Sequence, residues 1–263
     1  MSLFYQLTGL AVRRQITYRA ATLAGLATNF FFGLLRAAVM VALYGSRQQV
    51  AGMTLQDAIT YTGLTQAIIA FLYLFGWFDI IYSVQSGQVG ADLLRPMSYF
   101  RFWMAQDLGR ALVSLTLRGL PIMVFYALAF EITIPQTPGD WLFLVTSLIL
   151  AWMVSFSYRF VVNLAAFWIQ DAIGVARLFF ALSWLLSGFI MPLRFMPDWF
   201  TKLCYLTPFP HMVNTVVEIY LGLLSGGEIL RALLIQALWI ILLIALGHRV
   251  LRMGVRRLVI QGG

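Results

Sequence analysis

Long apolar stretches alternate along the chain with short polar segments that carry arginines. Each apolar stretch approaches the ~20 residues an α-helix needs to cross a hydrocarbon core. The pattern predicts about six spans, near residues 20–44, 60–84, 103–130, 141–168, 174–192 and 229–250. The third is longer than a bilayer requires, so its first turns, with Asp107 and Arg110, are expected to project into the cytoplasm. Ahead of the spans, Leu3, Leu7 and Leu10 share one helical face, with Gln6, Arg13 and Thr17 elsewhere. That predicts an interfacial amphipathic helix over residues 1–19, the alternative being an extension of the first span.

Two connections stand out. One covers residues 85–102 and contains Gly87, Gly90 and Pro96. The other, residues 193–228, comes after Pro192 and holds Pro197, Pro208 and Pro210 among Trp199, Phe200, Tyr205 and Phe209. A loop so apolar is not expected to be fully solvated. Short re-entrant helices dipping into the outer leaflet would bury it with the backbone bonded internally. The fold class expected is an all-α integral membrane protein, one transmembrane domain over residues 1–263. The two halves do not visibly repeat, which argues against an inverted-repeat transporter.

Composition agrees. The chain is 61% hydrophobic and 11% charged, with a mean hydropathy of +0.86. A soluble domain is roughly 45–50% apolar and about 25% charged. A net charge of +8 would suggest nucleic acid in a soluble protein. Here the basic residues flank apolar spans, so the expected partners are membrane lipids and no nucleic acid. With the N-terminus inside, Arg13, Arg14, Arg19, Arg95, Arg101, Arg110, Arg177, Arg249, Arg252, Arg256 and Arg257 are cytoplasmic. The outer set is Arg47, Arg194 and Lys202, with Arg231 at a border. This asymmetry predicts both termini in the cytoplasm. The first apolar residues precede Arg13 and Arg14, the reverse of a cleavable signal peptide.

Several chemistries are disfavoured. A P-loop needs a lysine after a glycine-rich turn, and the chain's lysine, Lys202, comes after Phe200 and Thr201. No HExxH, GxSxG or paired-cysteine motif occurs, and the acidic residues are scattered singly. Cys204 is the lone cysteine, and His211 and His248 lie far apart. No catalytic residue, metal site or resident cofactor is therefore expected.

Polar residues inside spans are the positive signal. Arg36, Arg118 and Arg159 lie within the first, third and fourth spans. A central arginine costs about 2.5–3.5 kcal/mol on insertion scales, which demands a partner or a wet cavity. Ser147, Ala151, Ser155, Arg159 and Asn163 recur at i+4 as one stripe. Such a stripe is either the wall of a translocation path or a helix–helix seam. Gly25, Asn29, Gly33 and Ala37 form a second row, read as close packing with a subunit interface as its expected use. The candidate path residues are Asn29, Arg36, Arg118, Ser155, Arg159 and Asn163. Asp79, near the inner end of the second span, could pair with a neighbouring arginine.

In the segment after the second span, Gly87 and Gly90 permit a sharp turn. A short helix from Ala91 to Arg95 would then present Leu93 and Leu94 beside Asp92 and Arg95, ahead of Pro96. This suits docking of a cytosolic partner; the alternative is an ordinary interfacial turn.

Two patches resemble the permease subunits of ABC-2 type ABC transporters, closest to the six-helix, roughly 260-residue branch without a fused ATPase. One is Ser86-Gly87-Gln88-Val89 with Leu93-Leu94-Arg95-Pro96-Met97-Ser98. The other is Ser187-Gly188-Phe189-Ile190-Met191-Pro192, then Met196-Pro197-Asp198-Trp199, Leu206-Thr207-Pro208-Phe209 and Tyr220-Leu221-Gly222. The resemblance implies a second permease subunit, identical or related, and separate ATP-binding subunits that hold ATP and Mg. It implies that residues 86–98 couple to the ATPase, with Gly87, Gly90, Asp92, Leu93, Leu94, Arg95 and Pro96 at the contact. It implies an external gate around Pro192, Pro197, Trp199 and Pro208, and export of drugs, lipids or polysaccharides across the cytoplasmic membrane.

Three other readings compete. A gradient-driven transporter usually couples through buried carboxylates, and Asp79 is the acidic residue the pattern places inside a span. A membrane-embedded enzyme would need a clustered nucleophile or metal site. A structural subunit of a larger complex would leave the intramembrane arginines without a use.

Overall fold

The structure, a computed structural model, describes residues 3–74 and 76–257. It opens with α1 (Leu3–Thr17) and α2 (Arg19–Tyr44), then an antiparallel hairpin of β1 (Gln49–Val50) and β2 (Met53–Thr54). Next come α3 (Leu55–Leu72), α4 (Asp79–Gln85), α5 (Val89–Leu93) and α6 (Tyr99–Ser114). A π-helical turn, Leu115–Gly119, joins α6 to α7 (Leu120–Ala129). Beyond it lie α8 (Pro138–Asn163), α9 (Ala172–Leu186), α10 (Asp198–Tyr205), α11 (Asn214–Tyr220) and α12 (Gly226–Val255). Among the described residues the fold is all-α apart from that hairpin.

Local chemistry sets the helix starts. Thr54 with Asp57, Thr137 with Asp140, and Ser225 with Glu228 form reciprocal capping boxes at α3, α8 and α12. Each satisfies backbone N–H groups that a helix start leaves free. Pro138 adds a preset φ at the first position of α8.

Among the described residues, four helices are long and apolar enough to cross a membrane: Ala20–Tyr44, Tyr99–Ala129, Pro138–Phe167 and Gly226–Val255. They match four of the expected spans. The other two differ. The expected span 174–192 is represented by the 15 residues of α9. The expected span 60–84 is not one helix: α3 stops at Leu72 and α4 begins at Asp79. Helix α3 is buried from Ala58 to Leu72 and carries Thr60, Thr62, Thr65 and Gln66 inside the bundle. Its polarity is tolerated because neighbouring helices, rather than lipid, surround it.

The break has identifiable causes. Tyr73 adopts φ +57 and Gly76 φ +133, and the second of these is open mainly to glycine. Backbone groups released at such a break need partners when water is excluded. The carbonyls of Ala70 and Phe71 accept from Arg110, and that of Leu72 accepts from the Ser155 hydroxyl at 3.1 Å. The Leu74 carbonyl accepts from Trp184 Nε1 at 2.9 Å, and the Trp77 carbonyl from Asn163 Nδ2 at 2.8 Å. Side chains of α6, α8 and α9 thus hold the interrupted stretch of backbone.

The amphipathic N-terminal helix is present as α1, but of its leucine face only Leu7 packs on the core. Thr8 and Ala11 turn inward against Gly109 of α6, while Leu10 is 59% exposed. A Cβ on Gly109 would lie 2.6 Å from both the Ala11 Cβ and the Thr8 carbonyl oxygen. Asp107 does not project from the bundle either but is buried within it, with Arg110 half-buried beside it.

Candidate functional site

The turn from α4 through α5 stands at the end of the bundle that also holds α1. Gly87, at φ +76, makes the reversal after α4. A small clamp then fixes the segment from Gln88 to Pro96. Ser83 Oγ donates to Asp92 Oδ2 at 2.7 Å, and Arg95 pairs with Asp92 Oδ1 at 3.1 Å. The Arg95 guanidinium also sits 4.3 Å above the Phe102 ring. Val89 and Asp92 face inward and Leu93 packs on the core, which leaves Leu94 87% exposed. Arg95 and Pro96 are exposed beside it, and Gly90 is half-buried. Of the seven residues expected at a docking surface, Asp92 and Leu93 therefore support the turn from within. A groove of about 720 Å³ flanks it, lined by Arg14, Asp79, Tyr82, Arg95, Trp103 and Gln106. Asp79 thus faces a groove that it shares with Arg14.

The second cluster lies between α6 and α8. Asp107 Oδ1 accepts from Arg110 at 2.9 Å and from Arg159 Nη1 at 3.0 Å. Its Oδ2 accepts from Arg159 Nη2 at 2.9 Å and from Trp152 Nε1 at 2.8 Å. Arg159 Nε also donates to Ser155 Oγ. The cluster's formal charges are one negative and two positive, and Arg159 is 1% exposed. Asn163 continues the stripe by bonding the Trp77 carbonyl, and Ser147 begins it by bonding Gln236 of α12. Within this i+4 stripe, Ser155, Arg159 and Asn163 are buried and hydrogen-bonded to groups of the same chain. A fully buried guanidinium needs a carboxylate and several acceptors, and the interior of the bundle supplies them.

The third cluster is on the other side of α3. Arg36 donates to Thr65 Oγ1 at 3.0 Å and to the Phe189 and Ile190 carbonyls at 2.5 and 3.1 Å. Arg118 Nη2 donates to Asn29 Oδ1 at 3.4 Å, and Asn29 Nδ2 donates to the Gln66 carbonyl. Neither arginine has a carboxylate within 4.0 Å among the described residues. The six candidate path residues therefore fall into two groups separated by α3. The small-residue row on α2 points the same way as Asn29: a Cβ on Gly25 would meet Arg118, and one on Gly33 would meet Tyr126. That row packs within the chain.

At the opposite end, residues 187–225 are tied together by a polar chain. Arg194 Nε pairs with Glu218 Oε1 at 2.6 Å, and Tyr205 donates to Glu218 Oε2 at 3.2 Å. Asn214 Nδ2 donates to the Tyr205 hydroxyl, and Tyr61 of α3 donates to Asn214 Oδ1. Burial pushes His211 in this segment down to about 4, so it is neutral near pH 7. The four candidate gate residues divide: Pro192 and Pro208 are buried, while Pro197 is exposed and Trp199 is 69% exposed.

Sequence reasoning missed Asp107, Trp152, Tyr61 and Glu218 as network members. The i+3 spacing of Asp107 and Arg110 was a visible signal, but the excess length of the third span assigned both to the cytoplasm. Nothing in the pattern marked Tyr61.

A family model described as "ABC-2 family transporter protein" matches residues 29–262. No curated protein and no solved structure matches the chain.

Proposed function

The chain belongs to the ABC-2 family of transporter proteins, and from that premise we propose that it is the permease subunit of an ATP-driven exporter. ATP and Mg are bound and turned over by a separate subunit, and a second permease copy, identical or related, completes the membrane part. The chain crosses the cytoplasmic membrane six times, through α2, the broken pair α3–α4, α6–α7, α8, α9 and α12. Both termini lie in the cytoplasm. The four long apolar helices and the arginine asymmetry support this arrangement.

The observation that carries the docking assignment is Leu94. It is a large apolar side chain, 87% exposed on a turn held by the Ser83–Asp92–Arg95 clamp, and so free to enter an apolar groove on a partner. A groove on an ATP-binding subunit is the proposed cover. The arginines without carboxylates, Arg36 and Arg118, support a substrate with an anionic or polar head on an apolar body, lipid-like or drug-like. Asn29 belongs with them on the proposed path, whereas residues 193–228 form the proposed external, re-entrant gate.

The test is co-purification with the neighbouring gene products, wild type against Leu94→Asp. An ATPase that co-elutes with wild type and is lost from the folded variant supports both the transporter and the docking site. An ATPase retained by the variant overturns the site alone. If none associates with the wild type, the exporter reading falls.

A further inference from the structure

An open groove of about 660 Å³ runs between α8, α9 and α12. Val162, Val175 and Leu246 contribute its three walls, and no charged side chain lines it. The Tyr158 hydroxyl in its wall is already spent on the Phe179 carbonyl at 2.7 Å. Leu206 and Pro208 border one end, Trp168 and Val250 the other. Along α12 the groove extends from Trp239 to Val250, which at 1.5 Å per residue is about 16 Å. That is the depth of one leaflet, half of a ~30 Å hydrocarbon core.

Where the apolar lining ends, a basic recess begins. Arg249 precedes Val250, and with Arg252, Arg256 and Met253 it lines a second recess of about 420 Å³. These arginines are exposed, and none takes part in an ion pair among the described residues. Water gains nothing in so apolar a groove, and an empty groove forfeits dispersion contacts. One kind of molecule matches the whole arrangement: a one-leaflet apolar chain joined to an anion at the membrane surface.

We propose that the groove between α8, α9 and α12 holds an acyl chain of an anionic phospholipid, with its phosphate on Arg249, Arg252 and Arg256. The site rests on the chain's lying in a bilayer. It is independent of the ATPase docking turn and of the path beside Arg36 and Arg118.

The test is native mass spectrometry of the full complex, taken from bilayers of equal phosphatidylglycerol and phosphatidylcholine with matched chains. Wild type is expected to retain phosphatidylglycerol over phosphatidylcholine through delipidation. Val162→Trp and Val175→Trp, which fill the groove from α8 and from α9, are expected to lose the retained lipid. The double variant Arg249→Gln, Arg252→Gln is expected to hold both lipids equally.

Tryptophan quenching by brominated acyl chains gives a second measurement that does not depend on groove-filling variants. Trp239→Phe should remove part of the quenching seen in wild type. Wild type that retains no lipid overturns the proposal. So does retention indifferent to both tryptophan substitutions, or quenching unchanged in Trp239→Phe. Cross-linking of Val175→Cys to a second copy, with no lipid bound, would make the groove a subunit interface and also overturn it. Co-eluting ATPase is read in the same spectra, so an empty groove and a wrong partner assignment are told apart.

Discussion

Arg159 and Arg118 are both arginines inside long apolar helices, yet their surroundings differ. Arg159 is sealed in the seam between α6 and α8, where both oxygens of Asp107 and the Ser155 hydroxyl receive it. Arg118 is half-buried, donates one long hydrogen bond to Asn29, and has no partner for its Nε. An arginine whose donors are met inside the chain is part of the architecture. One whose donors are left over is available to something else. Polarity at membrane depth therefore has two meanings, and only the partners each group finds separate them.

The largest expected effect comes from Asp107→Ala. It strands the buried Arg159 guanidinium, the half-buried Arg110 and the Trp152 indole N–H, and removing one partner of a buried pair costs about 3–5 kcal/mol. Thermal unfolding in detergent should show a large downward shift; a wild-type melting curve would mean that the cluster does not stabilise the fold. Gly109→Val comes next. Its side chain would collide with Ala11 and the Thr8 carbonyl, at a cost of about 1–3 kcal/mol for overpacking. Protease cleavage within α1 should rise as that helix lifts from α6, and unchanged protection would argue against the close approach.

Arg118→Met is expected to cost only about 0.5–1.5 kcal/mol, since one weak hydrogen bond is lost. Transport in reconstituted vesicles should nevertheless fall. A stability loss as great as that of Arg159→Met would erase the distinction between the two arginines. The smallest effect on stability is expected for Leu94→Asp, within about 0.5 kcal/mol as for other exposed positions. Its consequence should appear in ATPase association instead.

Much of this molecule was legible from hydrophobic periodicity. Four of the spans, the N-terminal helix and the glycine turn at Gly87 arise from residues that interact with bilayer, interface or their own backbone. These are local or solvent-level preferences, so a one-dimensional pattern reports them. The break between α3 and α4 was not legible. The stretch from 60 to 84 is apolar enough to read as one span, and its interruption depends on acceptors matched by Arg110, Ser155, Asn163 and Trp184 from distant helices.

The candidate site divides along the same line. Residue order alone determined that the chain lives in a bilayer, and it offered a glycine-bounded turn with Leu93 and Leu94 beside Arg95. Only the tertiary structure decided that Arg159 is sealed by Asp107, that the small row on α2 packs inward, and that α3 keeps Arg36 and Arg118 apart from the α8 stripe. Bilayer preference is a sum over single residues and can be read along the chain. Satisfaction of a buried charge is a property of pairs, and those pairs exist only once α6, α8 and the end of α3 have been brought together.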